Sequence, residues 1–476
     1  MKRFGILAAL LALASCSVGP NYHPPAPAEL RAAGAWHAPL PEGAASGDLS
    51  VWWRQLGDPV LSGLIEESLQ ASPDVDLARA RLLEARARRR SAIADLGPTV
   101  DASAGASRSR SGGSTGNRFD AGFDASWEPD VFGGGRRSIE AATADLESTE
   151  ANLHATQVSL AAEVALNYVD VRSFQGRIEI ARESLKRQGE TRDLTDWRFQ
   201  AGLVSQLDLD QARTALEQTR AQIPSLETSL EAAKNRLAIL LGQAPGAVEE
   251  RLAAASPIPP IPPVPERVTV GIPADVLRQR PDVRAAERAL AAQTARIGVA
   301  TAARYPSFRL TGSLGVGGLT LGTLTGGAAL AHALALSVFE TVWDSGRIES
   351  QIAIQNAVQK EALASYRSAV LTALEDVENA LVALAKSRER EDSLRRADEA
   401  ARSAADLARQ RYSTGLTDFQ SVLDTERTEL AISDNLKSTE ADVTTALVQL
   451  YKALGGGWSA SESIETATAE PKGTAR

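Results

Sequence analysis

The fold is decided by the stretch Phe119-Asp120-Ala121-Gly122-Phe123-Asp124-Ala125-Ser126-Trp127. Its apolar side chains alternate with polar or small ones, which is the period of a β-strand with one apolar face. Upstream, Val100, Ala102, Ala104 and Ala106 alternate in the same way, and the polar segment Arg108–Gly116 is predicted to be the hairpin loop between them. We therefore predict two strands of about ten residues, the length with which a tilted strand crosses a bilayer.

A second pair of strands is predicted later in the chain. Its alternating apolar residues are Phe308, Leu310, Leu314, Val316, Leu334, Leu336 and Val338. No charge occurs between Arg309 and Glu340, so a membrane-spanning helix is the competing interpretation. The charged first hairpin and the glycines at positions 317, 318, 322, 326 and 327 favour a hairpin instead.

The chain is predicted to be an internal duplication. Pro73-Asp74-Val75 recurs as Pro281-Asp282-Val283, and Pro98 recurs as Pro306. A repeat of about 210 residues is far too long for a solenoid, so it indicates a duplicated half-protein. The predicted segments are a signal peptide (1–15), an extended lipidated arm (16–57), a first repeat (58–250, hairpin about 99–127), a Pro-rich linker (251–270), a second repeat (271–458, hairpin about 307–340) and a disordered tail (459–476).

Helices are predicted on both sides of each hairpin. Shorter ones precede the hairpins, over about 74–95 and 282–303. From Arg136 to Phe199 the chain has no proline, and one continuous helix of that length would run to about 96 Å. Apolar residues in the long segments step by three and four, as in coiled coils, at Val164, Tyr168, Val171, Phe174, Ile178, Ala181, Leu185, Val370, Leu374, Val377, Leu381 and Leu384. Helices alone would also suit a periplasmic coiled-coil scaffold, but the alternating strands argue against it.

The N-terminus has the features of a bacterial lipoprotein signal. Met1-Lys2-Arg3 is basic, an apolar stretch runs to Leu13, and Cys16 is the single cysteine among 476 residues. The apolar stretch is too short to span a bilayer as a helix. We therefore predict cleavage before Cys16 and its lipidation. Ser17, rather than an acidic residue, follows it, which resembles lipoproteins sent to the outer membrane.

Charge and composition exclude several classes of function. The chain has 51 basic and 60 acidic residues and a net charge of -9, which argues against a nucleic-acid partner. Its four histidines are scattered, and the sequence has no metal-ligand cluster, nucleophile motif or phosphate-binding glycine loop. We therefore predict no catalytic residue, no metal, no cofactor and no enzymatic activity. Paired acidic residues are assigned to solvated helix faces.

Four strands in one chain predict an assembly. In lipid, an open sheet would leave N–H and C=O groups unpaired at both edges, at a cost of several kcal/mol each. Two chains would close an eight-stranded barrel with a filled interior, and three would close a twelve-stranded barrel with room for a pore. The residues themselves do not choose between the two.

Segments near both ends of the chain resemble signatures of the TolC-like outer-membrane factors, in particular the lipoprotein branch that serves RND-type tripartite efflux pumps. These segments are Gly19-Pro20-Asn21-Tyr22, Trp52-Trp53-Arg54-Gln55-Leu56-Gly57-Asp58-Pro59 and Tyr451-Lys452-Ala453-Leu454-Gly455-Gly456-Gly457-Trp458. The resemblance covers nearly the whole mature chain.

The resemblance implies an α+β fold, internally duplicated, with four strands per chain. A homotrimer would form a twelve-stranded outer-membrane β-barrel that continues into a long periplasmic α-helical barrel. It implies passive conduction of drugs or other small toxic compounds, with an RND-type inner-membrane transporter, a periplasmic membrane-fusion adaptor and outer-membrane lipid as partners. A duct for type I protein secretion would share the fold and is the alternative. The lipoprotein start and Trp52-Trp53 favour small-molecule efflux.

Two helix-to-helix turns are the predicted adaptor contacts. Gly202 and Gly415 fit helix C-caps, while Ser205-x-x-Asp208 and Thr417-x-x-Gln420 fit capping boxes of the return helices. Such turns dock on the adaptor in the resembled family, which makes the contact candidates Gly202, Leu203, Val204, Ser205, Gly415, Leu416, Thr417 and Asp418.

A periplasmic gate is predicted at Asp424 and Arg427, which match the family's motif for a ring of aspartates and a latching arginine. Three carboxylates around a threefold axis would repel each other and favour cations. An ordinary ion pair between positions i and i+3 is the local alternative. Gln420 stands where relatives often carry a bulky apolar residue, so a hydrophobic seal is not expected there unless Phe419 supplies it.

Overall fold

The computed structural model describes residues 17–26, 29–30, 35–40, 48–253, 260–265, 268, 270, 279–325 and 330–458. The predicted signal peptide, Cys16 and the tail 459–476 lie outside the described residues, as do parts of the predicted arm and linker. The chain divides into two compact units. Unit 1 comprises Met1–Leu30, Ala80–Ala151 and Arg284–Ala369, and unit 2 comprises Arg31–Arg79, Asn152–Val283 and Val370–Arg476. Each unit therefore combines segments of both predicted repeats.

Helices make up most of the described chain, as predicted. The helices before the two hairpins begin at Pro73 and Pro281, where a proline in the first turn loses no intrahelical hydrogen bond. The two longest helices have 67 residues each and bury their apolar stripe, including Tyr168 and Val377. None of the described helices combines the length and the apolar character that a membrane crossing requires. After a 3₁₀ turn (Trp52–Leu56), the helices are α1 (Pro59–Ala71), α2 (Pro73–Ala94), α3 (Gly134–Gln200), α4 (Gln206–Leu240), α5 (Glu249–Leu252), α6 (Pro281–Ala302), α7 (Arg347–Ser413) and α8 (Phe419–Ala453).

The four predicted strands are confirmed as one antiparallel sheet in unit 1, in the order β1-β2-β3-β4. The strands are β1 (Thr99–Ser111), β2 (Ser114–Trp127), β3 (Ser307–Gly318) and β4 (Leu330–Phe339). Phe123 of β2 pairs with Ala102 of β1 and with Leu314 of β3, so the predicted apolar faces of the two hairpins coincide. The sheet is not compatible with the coiled-coil scaffold considered above.

The first hairpin loop is shorter than predicted. Only Gly112 and Gly113 connect β1 to β2, with φ angles of 58° and 85°. Two left-handed residues match the twist of the flanking strands at a two-residue turn. The prediction of a loop over Arg108–Gly116 was wrong because polar side chains do not prevent the backbone from pairing: Arg108 pairs with Asn117 within the ladder.

Two of the three signature segments, residues 52–59 and 451–458, meet in the core of unit 2. The rings of Trp52 and Tyr451 lie 5.5 Å apart, and the Tyr451 hydroxyl donates to Gln55 Oε1 at 3.1 Å. Asp58 caps α1 and also accepts a 2.6 Å hydrogen bond from the Tyr168 hydroxyl of α3. Two of the three segments that carry the family resemblance therefore join the arm, the C-terminal end of α8 and a long helix within one packed cluster.

Candidate functional site

The two helix-to-helix turns of unit 2 share one backbone geometry. Gly202, after α3, and Gly415, after α7, have φ angles of 72° and 76°. In the first turn the N–H groups of Gly202 and Leu203 donate to the carbonyls of Phe199 and Arg198, at 2.9 and 2.8 Å, and the second turn repeats both bonds. This paired closure is a Schellman motif, whose left-handed residue is unstrained only as glycine. The predicted C-caps are confirmed.

The return helices begin with different caps. Ser205 and Asp208 form the predicted reciprocal capping box at the start of α4. The prediction that Thr417 caps α8 was wrong, because Asp418 is the N-cap and accepts from Ser421 N at 3.0 Å. A carboxylate is a stronger acceptor than a hydroxyl, and it suits the positive end of the helix. The hydrogen bonds from Ser421 lower the pKa of the Asp418 carboxyl.

Both turns present a leucine to solvent. Leu203 is 72% exposed and Leu416 is 78% exposed, while Val204 and Thr417 are half-buried. Leu207, the second residue of α4, is also exposed and was not predicted as a contact. Exposed leucines clustered at helix turns are a feature of protein interfaces, because burying them on a partner removes apolar surface from water.

The predicted gate residues lie on one exposed face of α8. Gln420, Asp424 and Arg427 are all exposed, and Gln420 Nε2 donates to Asp424 Oδ1 at 2.9 Å. Asp424 and Arg427, both described, do not form an ion pair within the chain, so the local i, i+3 alternative is not observed. Within a single chain, the Asp424 carboxylate and the Arg427 guanidinium are therefore exposed and not paired with each other.

Phe419 does not lie on that face. Its side chain is 3% exposed and packs edge-on against Tyr412 of α7, with ring centroids 5.9 Å apart. The suggestion that Phe419 supplies a hydrophobic seal was therefore wrong. As the first residue of α8 it points into the cluster formed by Val422 and Leu423, one turn further on.

Two acidic residues of α8 were placed wrongly by sequence reasoning. Paired acids were assigned to solvated faces, yet Glu426 and Glu429 are 5% and 4% exposed. Their positions follow Val422 and Leu423 by three to seven residues, which is the spacing of one helix face. That spacing indicated that Glu426 and Glu429 share the buried face of the helix. The prediction was wrong because their charge was taken as sufficient evidence for solvent exposure.

The segment that follows Cys16 is held in unit 1 by a buried arginine. Arg137 Nε donates to Val18 O at 3.1 Å, and its Nη2 donates to Asn21 Oδ1 at 2.7 Å. Gly19 has a φ angle of 91°, and a Cβ on it would lie 2.5 Å from the Cα of Gly298 in α6. Sequence reasoning missed Arg137. The sequence feature that could have identified it is a cation at the start of a predicted helix, where the helix dipole disfavours positive charge and a specific partner is therefore expected.

Within the described residues, no group of three or more histidine, cysteine, aspartate or glutamate side chains is arranged to hold a metal ion. The surfaces of unit 2 on which the sequence placed candidate functional residues are the two turns and the exposed face of α8.

Comparison with known proteins identifies the type of molecule that carries these surfaces. The profile of the outer membrane efflux protein family matches residues 64–243 and 272–456, two segments, as expected for a duplication. Nodulation protein T of Rhizobium leguminosarum bv. trifolii is 32% identical over 94% of this chain and 96% of its own length. The pyoverdine export outer membrane protein OpmQ of Pseudomonas aeruginosa is 30% identical, covering 96% of this chain and 97% of that protein.

The structure of the outer-membrane channel OprN superposes with a TM-score of 0.86, at 37% identity, and covers 93% of this chain and all of that one. Long helices with capped turns, a four-stranded sheet and these similarities define an outer-membrane transport channel. The chain belongs to the outer membrane efflux protein family. The resemblance found from its terminal motifs is thereby confirmed.

Proposed function

We propose that three copies of this chain assemble into an outer-membrane duct that passively conducts drugs or other small toxic compounds out of the cell. The observation that carries the proposal is the sheet: in the described part of the chain, β1 and β4 each have only one neighbouring strand. Joining β4 of one copy to β1 of the next would pair these edges, and three copies would close twelve strands.

The side chains of β4 support a membrane setting for this sheet. Leu334, Leu336 and Val338 are all exposed in the single chain, on a strand with no charged residue. Such a strand would aggregate in water, but in a closed barrel it would be covered by lipid and by the neighbouring strands.

We propose Asp424, Arg427 and Gln420 as the gate at the periplasmic end. The support is that all three share the exposed face of α8, with the Asp424 carboxylate not paired to Arg427 within the chain. Around a threefold axis, three such carboxylates would create a negative constriction that admits cations more readily than anions.

The two turns are proposed as the docking sites of a periplasmic adaptor, which in turn would connect the duct to an RND-type inner-membrane transporter. Their exposed leucines and rigid caps support this role. The contact residues are Gly202, Leu203, Val204, Ser205, Gly415, Leu416, Thr417 and Asp418.

We further propose lipidation of Cys16 and the division into two repeats, an arm, a linker and a tail as predicted from the sequence. The support for an anchored arm is that Arg137 holds Val18 and Asn21 against unit 1, immediately after the proposed lipid site. In a Cys16→Ser variant, mass spectrometry should show no acyl group while circular dichroism keeps the strand signal. An acylated variant would contradict the assignment.

Light scattering of the detergent-purified protein tests the assembly. Three chains per particle are expected, together with ion conductance in planar bilayers. A particle of one chain, or three chains without conductance, would contradict the proposed duct.

A further inference from the structure

A buried layer of charge lies behind the gate face of α8. Glu426 and Glu429 point away from Asp424 and face α3 and α7, where Arg187, Thr191 and Arg409 surround them. We call these five residues the carboxyl layer. Every member lies in unit 2.

The carboxylates of the layer are incompletely neutralised. Thr191 Oγ1 donates to Glu426 Oε1 at 2.8 Å, but the ion pair of Glu426 with Arg409 is long, with 3.7 Å between Oε1 and Arg409 Nε. Glu429 has one close partner, Arg187 Nη2 at 3.0 Å, and shares Arg409 at 3.9 Å. A buried carboxylate with its cation beyond hydrogen-bond distance loses hydration without full compensation.

Both arginines are also engaged by other acids. Arg409 lies 2.6 Å from Asp406 on its own helix, and Arg187 lies 2.7 Å from Glu183. The charge of Arg402 of α7 also lowers the pKa of Glu429, but its guanidinium pairs with Asp398 at 2.8 Å. The acids around the layer therefore compete for its cations.

Burial is the largest influence on both carboxyls, and it raises the pKa of Glu426 and the pKa of Glu429. For Glu426, the hydrogen bond from Thr191 and the charges of Arg409 and Arg187 lower the pKa, while the charge of Glu429 raises it. For Glu429, Arg187, Arg409 and Arg402 lower the pKa and Asp406 raises it. Burial between the packed helices thus favours a state in which Glu426 or Glu429 carries a proton over a state in which both are ionised.

We propose that protonation of the carboxyl layer controls how tightly α8 packs against α3 and α7, and thereby positions the gate face of α8. When a proton from solvent binds a carboxylate oxygen of Glu426 or Glu429, α8 packs firmly against α3 and α7. When both ionise, that packing weakens and the gate face becomes free to move. Glu426 and Glu429 are positioning residues, and the inference rests on the proposed gate.

The sign of the effect follows from linkage. The packed state holds the carboxyls at a raised pKa, so it binds more protons than a released state in which water reaches them. The stability of packing is therefore greatest at low pH and falls as pH rises through the raised values. At low pH α8 should stay packed against α3 and α7, and this packing should weaken as the pH rises.

The experiment measures the assembled wild-type protein and variants between pH 4.5 and 8. Hydrogen exchange by mass spectrometry gives the protection factor of the amides in residues 419–433, corrected for the intrinsic pH dependence of exchange. Bilayer conductance is recorded in parallel. The wild type should lose protection several-fold and gain conductance as pH rises.

The double variant Glu426→Gln, Glu429→Gln keeps shape and hydrogen bonding but removes the titration. It should stay protected and weakly conducting across the range. Thr191→Val removes a donor to the ionised form of Glu426, so the transition should shift to higher pH. Glu217→Gln, an exposed acid of α4, is the control and should follow the wild type.

If the double variant keeps the wild-type pH response of α8 protection, the inference is overturned. If that response moves with Asp424→Asn instead, the gate aspartate is the sensor and the inference is also overturned. Absence of conductance in every protein would count against the proposed duct alone, because the exchange measurement does not require a pore.

Discussion

Gln420 donates a hydrogen bond to Asp424 across one turn of α8, with 2.9 Å between Nε2 and Oδ1. Replacing Asp424 by asparagine keeps the size of the side chain and removes its charge. If three such charges line the constriction, the preference for cations over anions should fall several-fold. The reversal potential in a KCl gradient across a planar bilayer measures this.

A matched pair elsewhere supplies the control. On α4, Gln206 Nε2 donates to Asp210 Oδ1 at 3.0 Å, and both side chains are exposed. Asp210→Asn should leave ion selectivity unchanged. Equal losses in the two variants would show that selectivity reflects overall surface charge rather than a ring at position 424.

The turn glycines should be sensitive to any side chain. Gly202→Ala and Gly415→Ala each place a Cβ in a left-handed conformation, at about 1–2 kcal/mol. Both variants should have a lower thermal midpoint, measured by circular dichroism. Gly189, inside α3, lacks a positive φ and has open space around its missing Cβ, so Gly189→Ala should stabilise the protein by up to about 1 kcal/mol. A destabilised Gly189→Ala would contradict the helical account of these positions.

The exposed turn leucines should contribute to adaptor affinity. Leu203→Ser and Leu416→Ser remove apolar surface that a partner would bury, so each should weaken binding about tenfold. Biolayer interferometry with a purified periplasmic membrane-fusion adaptor measures this, and conductance should be unaffected. Leu371→Ser, at an exposed position within α7, is the control. Unchanged affinity in both turn variants would remove the turns from the docking surface.

Arg137 should determine whether the arm stays docked. Arg137→Met fills similar volume without donors for Val18 O and Asn21 Oδ1, so hydrogen exchange at residues 17–22 should rise at least tenfold. Arg88, in an exposed pair with Glu84, provides the comparison, and Arg88→Met should leave the arm protected. If the amides of residues 17–22 stay fully protected in Arg137→Met, backbone packing at Gly19 is sufficient to hold the arm and the prediction is wrong.

Much of the architecture follows from local patterns. Alternation at Phe119–Trp127 predicted a strand, three-and-four spacing predicted the long helices, and glycine followed by a capping serine predicted the first turn. Each of these depends on residues within a few positions of one another, and the backbone geometry that they favour survives in the folded chain. The length of the first hairpin loop was overestimated because polar composition was used to define it. The glycine pair at 112–113 was the more specific local indication of the turn.

Contacts between distant segments were beyond such patterns. The pairing of Trp52 with Tyr451, the hold of Arg137 on the arm and the burial of Phe419, Glu426 and Glu429 arise where separate helices or segments meet. A charged residue on a helix is expected to face water until a neighbouring helix, with its own arginines, covers it. Periodicity along the chain therefore suffices to specify strands, helices and turns. The buried carboxyl layer of Glu426 and Glu429 exists only once α3, α7 and α8 have packed together, because burial is a property of the packed surfaces and not of any one segment.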